Sequence, residues 1–197
     1  MKDFAGVAAI AVVLSLSAVT YGQASSGTTA ASTDSTAQTR NLSEPALQRI
    51  TQEVRHQLVM LPYYSVFDNL AYKVSPDGTV TLMGQVLDPT LKPDAERVVK
   101  KVEGVENVVN NIEVLPTSPN DDRIRRAVYR AIYGNDVLAP YSLRAVPPIH
   151  IIVKNGNVTL TGVVARQMDK QIAETQAKSV PGVFGVTDDL QVENRKG

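Results

Sequence analysis

The sequence predicts an α+β protein made of two tandem α-β-β-α-β two-layer sandwiches, each with a three-stranded sheet packed on two helices. Two observations support this fold class. The segment Val-Thr-Leu-Met-Gly-Gln-Val at residues 80–86 returns as Val-Thr-Leu-Thr-Gly-Val-Val at residues 158–164, an offset of 78 positions. Between residues 78–115 and 156–193, aligned without a gap, 15 of 38 positions are identical. Segments that keep one register over this length share a fold, so the chain contains a duplicated domain.

The first 24 residues are expected to be a secretory signal peptide. Lys2 precedes an apolar run from Phe4 to Val19, and the small residues Gly22 and Ala24 lie where signal peptidase reads the chain. The apolar run is shorter than the roughly 20 residues that span a bilayer, which argues against an uncleaved anchor. We therefore expect export, with cleavage near Ala24.

Residues 25–43 are rich in Ser, Thr and Ala, and we expect them to form a disordered tether. Such a segment buries too little apolar area to offset its loss of conformational entropy. The two domains are then expected at residues 44–116 and 121–193. No cysteine is present, which excludes disulfides, thiolate metal sites and a cysteine nucleophile.

Each repeat begins with an amphipathic helix. Ser43 with Glu44 predicts the start of the first helix, and Asp121 with Asp122 predicts the start of the second, because carboxylates are favoured at the positive N-terminus of a helix. Apolar residues recur at helical spacing in both segments: Ala46, Ile50, Val54 and Leu58 in the first, and Ile124, Val128 and Ile132 in the second.

Two strands follow the first helix of each repeat. They are expected at residues 71–74 and 80–86, and again at residues 149–153 and 158–164. Asn155-Gly156 predicts a two-residue hairpin turn in the second repeat, and Pro76-Asp77-Gly78 occupies the turn of the first. Thr residues alternate with Val and Leu in the second strand, as in a sheet with one buried face.

A second helix and a last strand complete each repeat. The helices are expected at residues 92–102 and 167–180, and the strands at residues 108–114 and 186–192. Gly104 and Gly182 follow these helices, where a residue with positive φ commonly ends a helix. Three strands bury one face against two helices, which gives the two-layer sandwich.

The order of elements, the V-T-L-x-G-x-V strand and the later V-x-G-V segment resemble the BON domain, a family named for bacterial osmotically inducible and nodulation proteins. The resemblance covers residues 44–116 and 121–193. It implies a periplasmic, envelope-associated protein with stress-linked expression that binds phospholipid or other envelope components. It implies no catalysis and no catalytic residue, and we expect no cofactor or metal. Gly84, Gly104, Gly162 and Gly182 carry the resemblance, and they are structural positions of the motif.

The two repeats differ in charge. Residues 46–116 carry a net charge of −2 and residues 121–197 a net charge of +3, so the basic second repeat is the better candidate for an acidic partner. Its first helix is predicted to expose one stripe, Arg123, Arg126, Arg130 and Tyr133, flanked by Arg125 and Tyr129. One interpretation is a surface for anionic phospholipid headgroups. The other is a solvated helix face whose arginine stems cover the core.

The link between the first helix and the first strand is apolar in both repeats. Pro62-Tyr63 and Pro140-Tyr141 recur at the offset of 78. An exposed link would form an interface or a membrane-inserting edge, whereas a buried link would cap the sandwich or pack the repeats together. Because the pair is repeated, we expect a shared structural role.

Enzyme function is not expected. His56 and His150 do not share the repeat offset, and no phosphate-binding glycine loop or nucleophile elbow is present. Asp188-Asp189 is replaced by Asn110-Asn111 in the first repeat, and a calcium site needs more oxygen ligands than this pair supplies. Nucleic acid is not an expected partner, since an exported protein does not meet it. The alternative to phospholipid is an envelope protein as the partner. The chain would then be a protein-interaction or chaperone-like module that docks on it through an exposed sheet edge.

Overall fold

The computed structural model describes residues 42–144 and 146–193, so the predicted signal peptide and nearly all of the predicted tether lie outside the described residues. The helices are α1 (Glu44–Val59), α2 (Leu91–Val99), α3 (Pro119–Tyr133) and α4 (Gln167–Lys178), with a 3-10 helix at Ala139–Leu143. The strands are β1 (Asn69–Val74), β2 (Thr79–Val86), β3 (Asn107–Asn110), β4 (Glu113–Val114), β5 (Ile149–Lys154), β6 (Asn157–Val164) and β7 (Gly185–Val192). The predicted α+β fold with two tandem repeats is confirmed.

Each repeat has a mixed sheet whose central strand is the second one. In repeat 1, β1 runs antiparallel to β2, while β3 and β4 run parallel to it. In repeat 2, β5 runs antiparallel to β6 and β7 runs parallel to it. The last strand of repeat 1 is interrupted at Asn111-Ile112, where the amide of Ile112 donates to Oδ1 of Asn110 at 3.2 Å. The predicted continuous strand is therefore two short strands in repeat 1 and one strand in repeat 2.

Each sheet buries one face against two helices. The side chains of Ile50 and Val54 from α1 and of Val80 and Leu82 from β2 are fully buried in the core of repeat 1. Ile124, Val128 and Ile132 from α3 pack with the corresponding strand residues in repeat 2. The inward positions predicted from helical spacing are thus the buried ones, apart from the half-buried Ala46.

The four motif glycines fill positions that other residues fit poorly. Gly84 and Gly162 have φ of +112° and +122°. A Cβ on Gly84 would collide with the carbonyl oxygen of Asn69, the first residue of β1, and a Cβ on Gly162 would collide with that of Pro148, just before β5. Gly104 and Gly182 have φ of +91° and +93° after the second helix of each repeat, as predicted. Positive φ is costly for residues that carry a Cβ. These four positions therefore shape the backbone.

The start of α3 differs from the prediction. The helix begins at Pro119 because Ser118 caps it, with Oγ accepting a 3.2 Å hydrogen bond from the amide of Asp121. Asp121 is buried and turns its carboxylate to the β5–β6 turn, where it accepts hydrogen bonds from the amides of Asn155 and Gly156, each at 2.9 Å. Both turn residues have positive φ, as the Asn-Gly sequence predicts.

The apolar link after α1 packs against repeat 2. The carbonyl oxygen of Val66 accepts a 2.8 Å hydrogen bond from the amide of Ile151 in β5, and the Val66 side chain is buried in the core of repeat 2. Tyr63 is 75% exposed and has φ of +69°, whereas its counterpart Tyr141 is half-buried and donates to Oδ2 of Asp169 at 2.7 Å. The expected shared role of these two tyrosines is therefore wrong, because the two links take different paths.

Candidate functional site

Helix α3 presents a row of arginines to solvent. Ile124, Val128 and Ile132 anchor the helix in the core, and the spacing of 3.6 residues per turn places Arg123, Arg126 and Arg130 on the opposite side. All three arginine side chains are exposed, as the sequence predicts. We call these three residues the arginine face.

The guanidinium groups of the arginine face are available to a partner. Nη2 of Arg123 donates to Oδ1 of Asn120 at 3.0 Å, which is a neutral acceptor. Across residues 42–144 and 146–193, Arg126 and Arg130 form no ion pair with a carboxylate. Each group can therefore offer paired N–H donors to phosphate or carboxylate oxygens without breaking an existing salt bridge.

Tyr133 does not belong to the arginine face, and its predicted exposure is wrong. Its side chain is 7% exposed and its hydroxyl donates to the carbonyl oxygen of Ile149 at 2.6 Å. The same hydroxyl accepts from the amide of Ile149 at 3.2 Å. Burial raises the pKa of Tyr133 well above its ordinary value. The tyrosine thus ties the end of α3 to the start of β5.

Arg125 is also buried, although the sequence placed it beside the exposed stripe. Its side chain donates to Oδ1 of Asp122 at 2.5 Å and to the carbonyl oxygen of Val153 at 2.6 Å, and the residue is 1% exposed. Tyr129 is half-buried and its ring packs edge-on against Phe67, with centroids 6.1 Å apart. Arg125, Tyr129 and Tyr133 are spaced by four, so they form one helix side that β5 and the link of repeat 1 cover.

An exposed aromatic residue lies at the end of repeat 2 where α3 begins. Phe184 follows α4 in the loop before β7, and its side chain is 80% exposed. Phe184 is not among the residues predicted from the sequence. The signal was present, because the repeat alignment sets the apolar Phe184 against the charged Glu106.

Repeat 1 lacks the arginine face. At the offset of 78, Arg126 and Arg130 correspond to Gln48 and Gln52, and Arg123 corresponds to Pro45. All three counterparts are exposed on α1. The two helices therefore share a fold and an orientation, and they differ in the charge of the face that meets solvent.

The other polar residues considered as candidates either form contacts within the fold or lie exposed to solvent. Asp188 lies 3.7 Å from Nζ of Lys170 and its Oδ1 accepts from the amide of Leu190, while Asp189 is exposed. His56 is exposed at the end of α1. In the part of the chain that the structure describes, no three His, Cys, Asp or Glu residues are grouped so that they could hold a metal ion. None of the helices found among these residues is long and apolar enough to cross a membrane.

The structure is a tandem of two α+β domains that share one fold. The BON domain profile matches residues 46–116 and 120–194, which together make up most of the chain. The chain therefore belongs to the BON domain family. Domains of this family are generally non-catalytic binding modules, and their proteins are typically periplasmic or envelope-associated.

Two solved structures are similar to this chain. One is a structure of CdsD, a structural protein of the type III secretion system of Chlamydia trachomatis, which is 13% identical and aligns over 74% of this chain and 93% of the solved chain with a TM-score of 0.28. The other is the C-terminal domain of CdsD, which is 12% identical and aligns over 72% of this chain and 96% of that domain with a TM-score of 0.27. No curated protein matches the chain.

Proposed function

We propose that this protein is a non-catalytic binding protein of the cell envelope, and that repeat 2 contacts anionic phospholipid through the arginine face. The observation that carries the proposal is the row of three exposed guanidinium groups on α3, none of which forms an ion pair with a carboxylate of the described residues. Guanidinium groups form paired hydrogen bonds with phosphate oxygens, and they are weakly hydrated, so they suit a headgroup layer.

The difference in surface charge between α1 and α3 supports a role for the exposed arginines beyond keeping the protein soluble. A solvated helix face needs no particular sign of charge, and α1 has Gln48 and Gln52 where α3 has Arg126 and Arg130, although Arg49 and Arg55 are exposed elsewhere on α1. The arginines of α3 instead concentrate positive charge on the repeat whose net charge is +3. An anionic bilayer attracts basic residues near its surface with about 1 kcal/mol for each Lys or Arg.

The location of the protein is part of the proposal. We propose that residues 1–24 direct export to the periplasm and are removed near Ala24, and that residues 25–43 tether the two domains. The family's typical association with the envelope supports this location. The intact mass of the chain recovered from a periplasmic extract tests it, because cleavage after Ala24 would leave Ser25 as the first residue.

Vesicle flotation tests the lipid proposal. Residues 25–197, the chain that remains after the proposed cleavage, are mixed with vesicles of pure zwitterionic lipid or of zwitterionic lipid containing anionic phosphatidylglycerol, and the floated fraction is measured at increasing salt. We expect stronger flotation with the anionic vesicles, and we expect salt to weaken it, because salt screens exposed charges. The variant Arg123→Gln/Arg126→Gln/Arg130→Gln should lose about 3 kcal/mol of binding, which is roughly a 100-fold weaker partition.

A charge-matched variant provides the control. Arg49→Gln/Arg55→Gln/Arg97→Gln removes three exposed arginines from repeat 1, so it changes the net charge by the same amount. It should float like the unaltered chain. Equal losses in both variants would mean that net charge alone drives binding. Equal flotation of all chains with both vesicles would exclude the lipid proposal and favour an envelope protein as the partner.

A further inference from the structure

The position of Phe184 is fixed by its backbone. Its amide donates to the carbonyl oxygen of Gly156 at 2.9 Å, and the preceding residue Val183 packs against the core of repeat 2. The ring lies over Gly156, where an added Cβ would meet Cδ2 of the ring at 2.5 Å. A large apolar side chain is thus held at the surface on a backbone that is anchored on both sides.

Phe184 and the arginine face lie at the same end of repeat 2. A Cβ placed on Gly182, two residues before Phe184, would be 3.2 Å from Nη2 of Arg123. The turn that Phe184 covers is also held by α3, since Asp121 accepts hydrogen bonds from the amides of Asn155 and Gly156. The first turn of α3, the β5–β6 turn and the loop before β7 therefore meet, with a guanidinium group and an exposed ring on one surface.

Repeat 1 shows what this loop looks like without the aromatic residue. Glu106 occupies the corresponding position, and its amide donates to the carbonyl oxygen of Gly78 at 3.0 Å, the same backbone contact that Phe184 makes. The loop reads Glu-Gly-Val-Glu at residues 103–106 and Pro-Gly-Val-Phe at residues 181–184. Two carboxylates are replaced by apolar residues in the repeat that carries the arginine face. Both exchanges favour binding to an anionic bilayer, whose surface is negatively charged and whose interior is apolar.

We propose that Phe184 inserts into the apolar layer of an anionic bilayer while the arginine face contacts the phosphate groups above it. This inference rests on the proposed function, and it assigns to the loop at residues 181–184 the role of the inserted element. Peripheral proteins combine these two contributions, because electrostatic attraction brings the surface to the bilayer and burial of apolar side chains holds it there. Phenylalanine is one of the apolar residues that peripheral helices bury at the boundary between headgroups and acyl chains.

A tryptophan at position 184 reports insertion directly. The chain contains no tryptophan, so the variant Phe184→Trp of residues 25–197 carries a single indole whose emission comes from that site alone. We expect a blue shift on addition of vesicles that contain phosphatidylglycerol, quenching by lipids brominated on the acyl chains, and neither effect with pure zwitterionic vesicles. Glu106→Trp is the matched control, since it places the indole on the corresponding loop of repeat 1, and its emission should stay unchanged with both vesicles.

Substitution of the ring tests its contribution to binding. Phe184→Glu gives repeat 2 the residue that the same backbone accepts in repeat 1, so it should fold normally, and circular dichroism checks that it does. Phe184→Ser removes the ring without adding charge and is the second variant. Burial of a phenylalanine side chain predicts that both variants bind anionic vesicles at least about tenfold more weakly. At high salt the unaltered chain should retain more binding than either variant.

The outcomes separate the insertion from the binding on which it depends. Flotation of the chain with anionic vesicles, together with unshifted emission from the tryptophan at position 184, would overturn the insertion and leave headgroup binding in place. No preference for anionic vesicles in flotation would overturn both. Emission that shifts equally for Phe184→Trp and Glu106→Trp would also overturn the assignment, because repeat 1 would then insert as well.

Discussion

The imidazole ring of His150 lies against the phenol ring of Tyr64, with ring centroids 5.7 Å apart and ring planes inclined by 34°. Tyr64 belongs to the link after α1, and His150 lies in β5, so this ring pair is part of the contact between the two repeats. Burial raises the pKa of Tyr64 to about 12 and lowers the pKa of His150 below its ordinary value of 6.5. Backbone groups of Asp68 and Ser65 and the Asp68 charge offset part of the shift of His150. The contact therefore favours a neutral histidine.

The first prediction concerns the pH dependence of stability. Because the pKa of His150 is lower in the folded chain than in the unfolded chain, the unfolded chain binds more protons as the pH falls below about 6.5. The free energy of unfolding should then decrease with falling pH, until the pH passes the lowered pKa of the folded state. Urea denaturation between about pH 5 and pH 8 measures this slope.

The variant His150→Phe keeps the ring contact and removes the titrating group, so its stability should vary less over the same range. His56→Gln is the matched control, because it removes an exposed histidine, and its slope should equal that of the unaltered chain. Identical slopes for all three chains would show that His150 does not contribute to the pH dependence.

The second prediction concerns the dependence of repeat 2 on the link of repeat 1. Val66 is 8% exposed and packs in the core of repeat 2, although it precedes the first strand of repeat 1. Val66→Ala removes two buried carbons, and it should lower the free energy of unfolding of repeat 2 by about 1–3 kcal/mol. Hydrogen exchange should show faster exchange at the amide of Ile151, which donates to the carbonyl oxygen of Val66.

Val163→Ala is the matched control for Val66→Ala, because Val163 lies in repeat 2 and is 47% exposed. It should change the stability by much less. Equal destabilisation by both substitutions, or faster exchange confined to repeat 1 amides in Val66→Ala, would contradict the assignment of Val66 to the core of repeat 2.

The fold could be predicted from the sequence because the duplication and the periodicity agree. The repeat alignment fixed which segments correspond, and the spacing of apolar residues such as Ile124, Val128 and Ile132 identified the inward side of α3. The arginine face followed from the same spacing, since residues opposite a buried stripe meet solvent. Arg123, Arg126 and Arg130 are exposed for this reason.

The burial of the helix side formed by Arg125, Tyr129 and Tyr133 could not be predicted from this spacing. Arg125, Tyr129 and Tyr133 look like surface residues when repeat 2 is considered alone, because polar side chains usually face water. The elements that cover them are β5 and a link from the other repeat, including Phe67. Contacts between distant segments leave no periodic pattern in either segment. The same reason explains why the sequence did not reveal that Val66 belongs to the core of repeat 2.

The third prediction separates the structural arginine of α3 from the exposed ones. Arg125→Ala leaves the carbonyl oxygen of Val153 without its donor and opens a cavity beside β5. The loss should lower the free energy of unfolding by about 2–4 kcal/mol. Arg126→Ala removes an exposed side chain and should change the stability by less than about 0.5 kcal/mol.

Thermal and urea denaturation measure the two stabilities, and vesicle flotation of the same variants measures binding. We expect Arg126→Ala to weaken flotation while it leaves stability unchanged. Arg125→Leu fills part of the cavity and serves as a second structural variant. A large stability loss for Arg126→Ala would contradict the division of α3 into a buried and an exposed arginine side.

The fourth prediction concerns Asp121, whose carboxylate joins α3 to the β5–β6 turn. Asp121→Ala leaves the amides of Asn155 and Gly156 without their acceptors. The loss of hydrogen bonds to a charged group should lower the free energy of unfolding by about 1–3 kcal/mol. The corresponding residue of repeat 1 is Ser43, which forms no capping hydrogen bond at the start of α1, so Ser43→Ala should be nearly neutral.

Because the turn also supports the ring of Phe184, Asp121→Ala should broaden the emission of a tryptophan placed at position 184. Unchanged emission together with the expected stability loss would mean that the loop before β7 keeps its shape without help from α3.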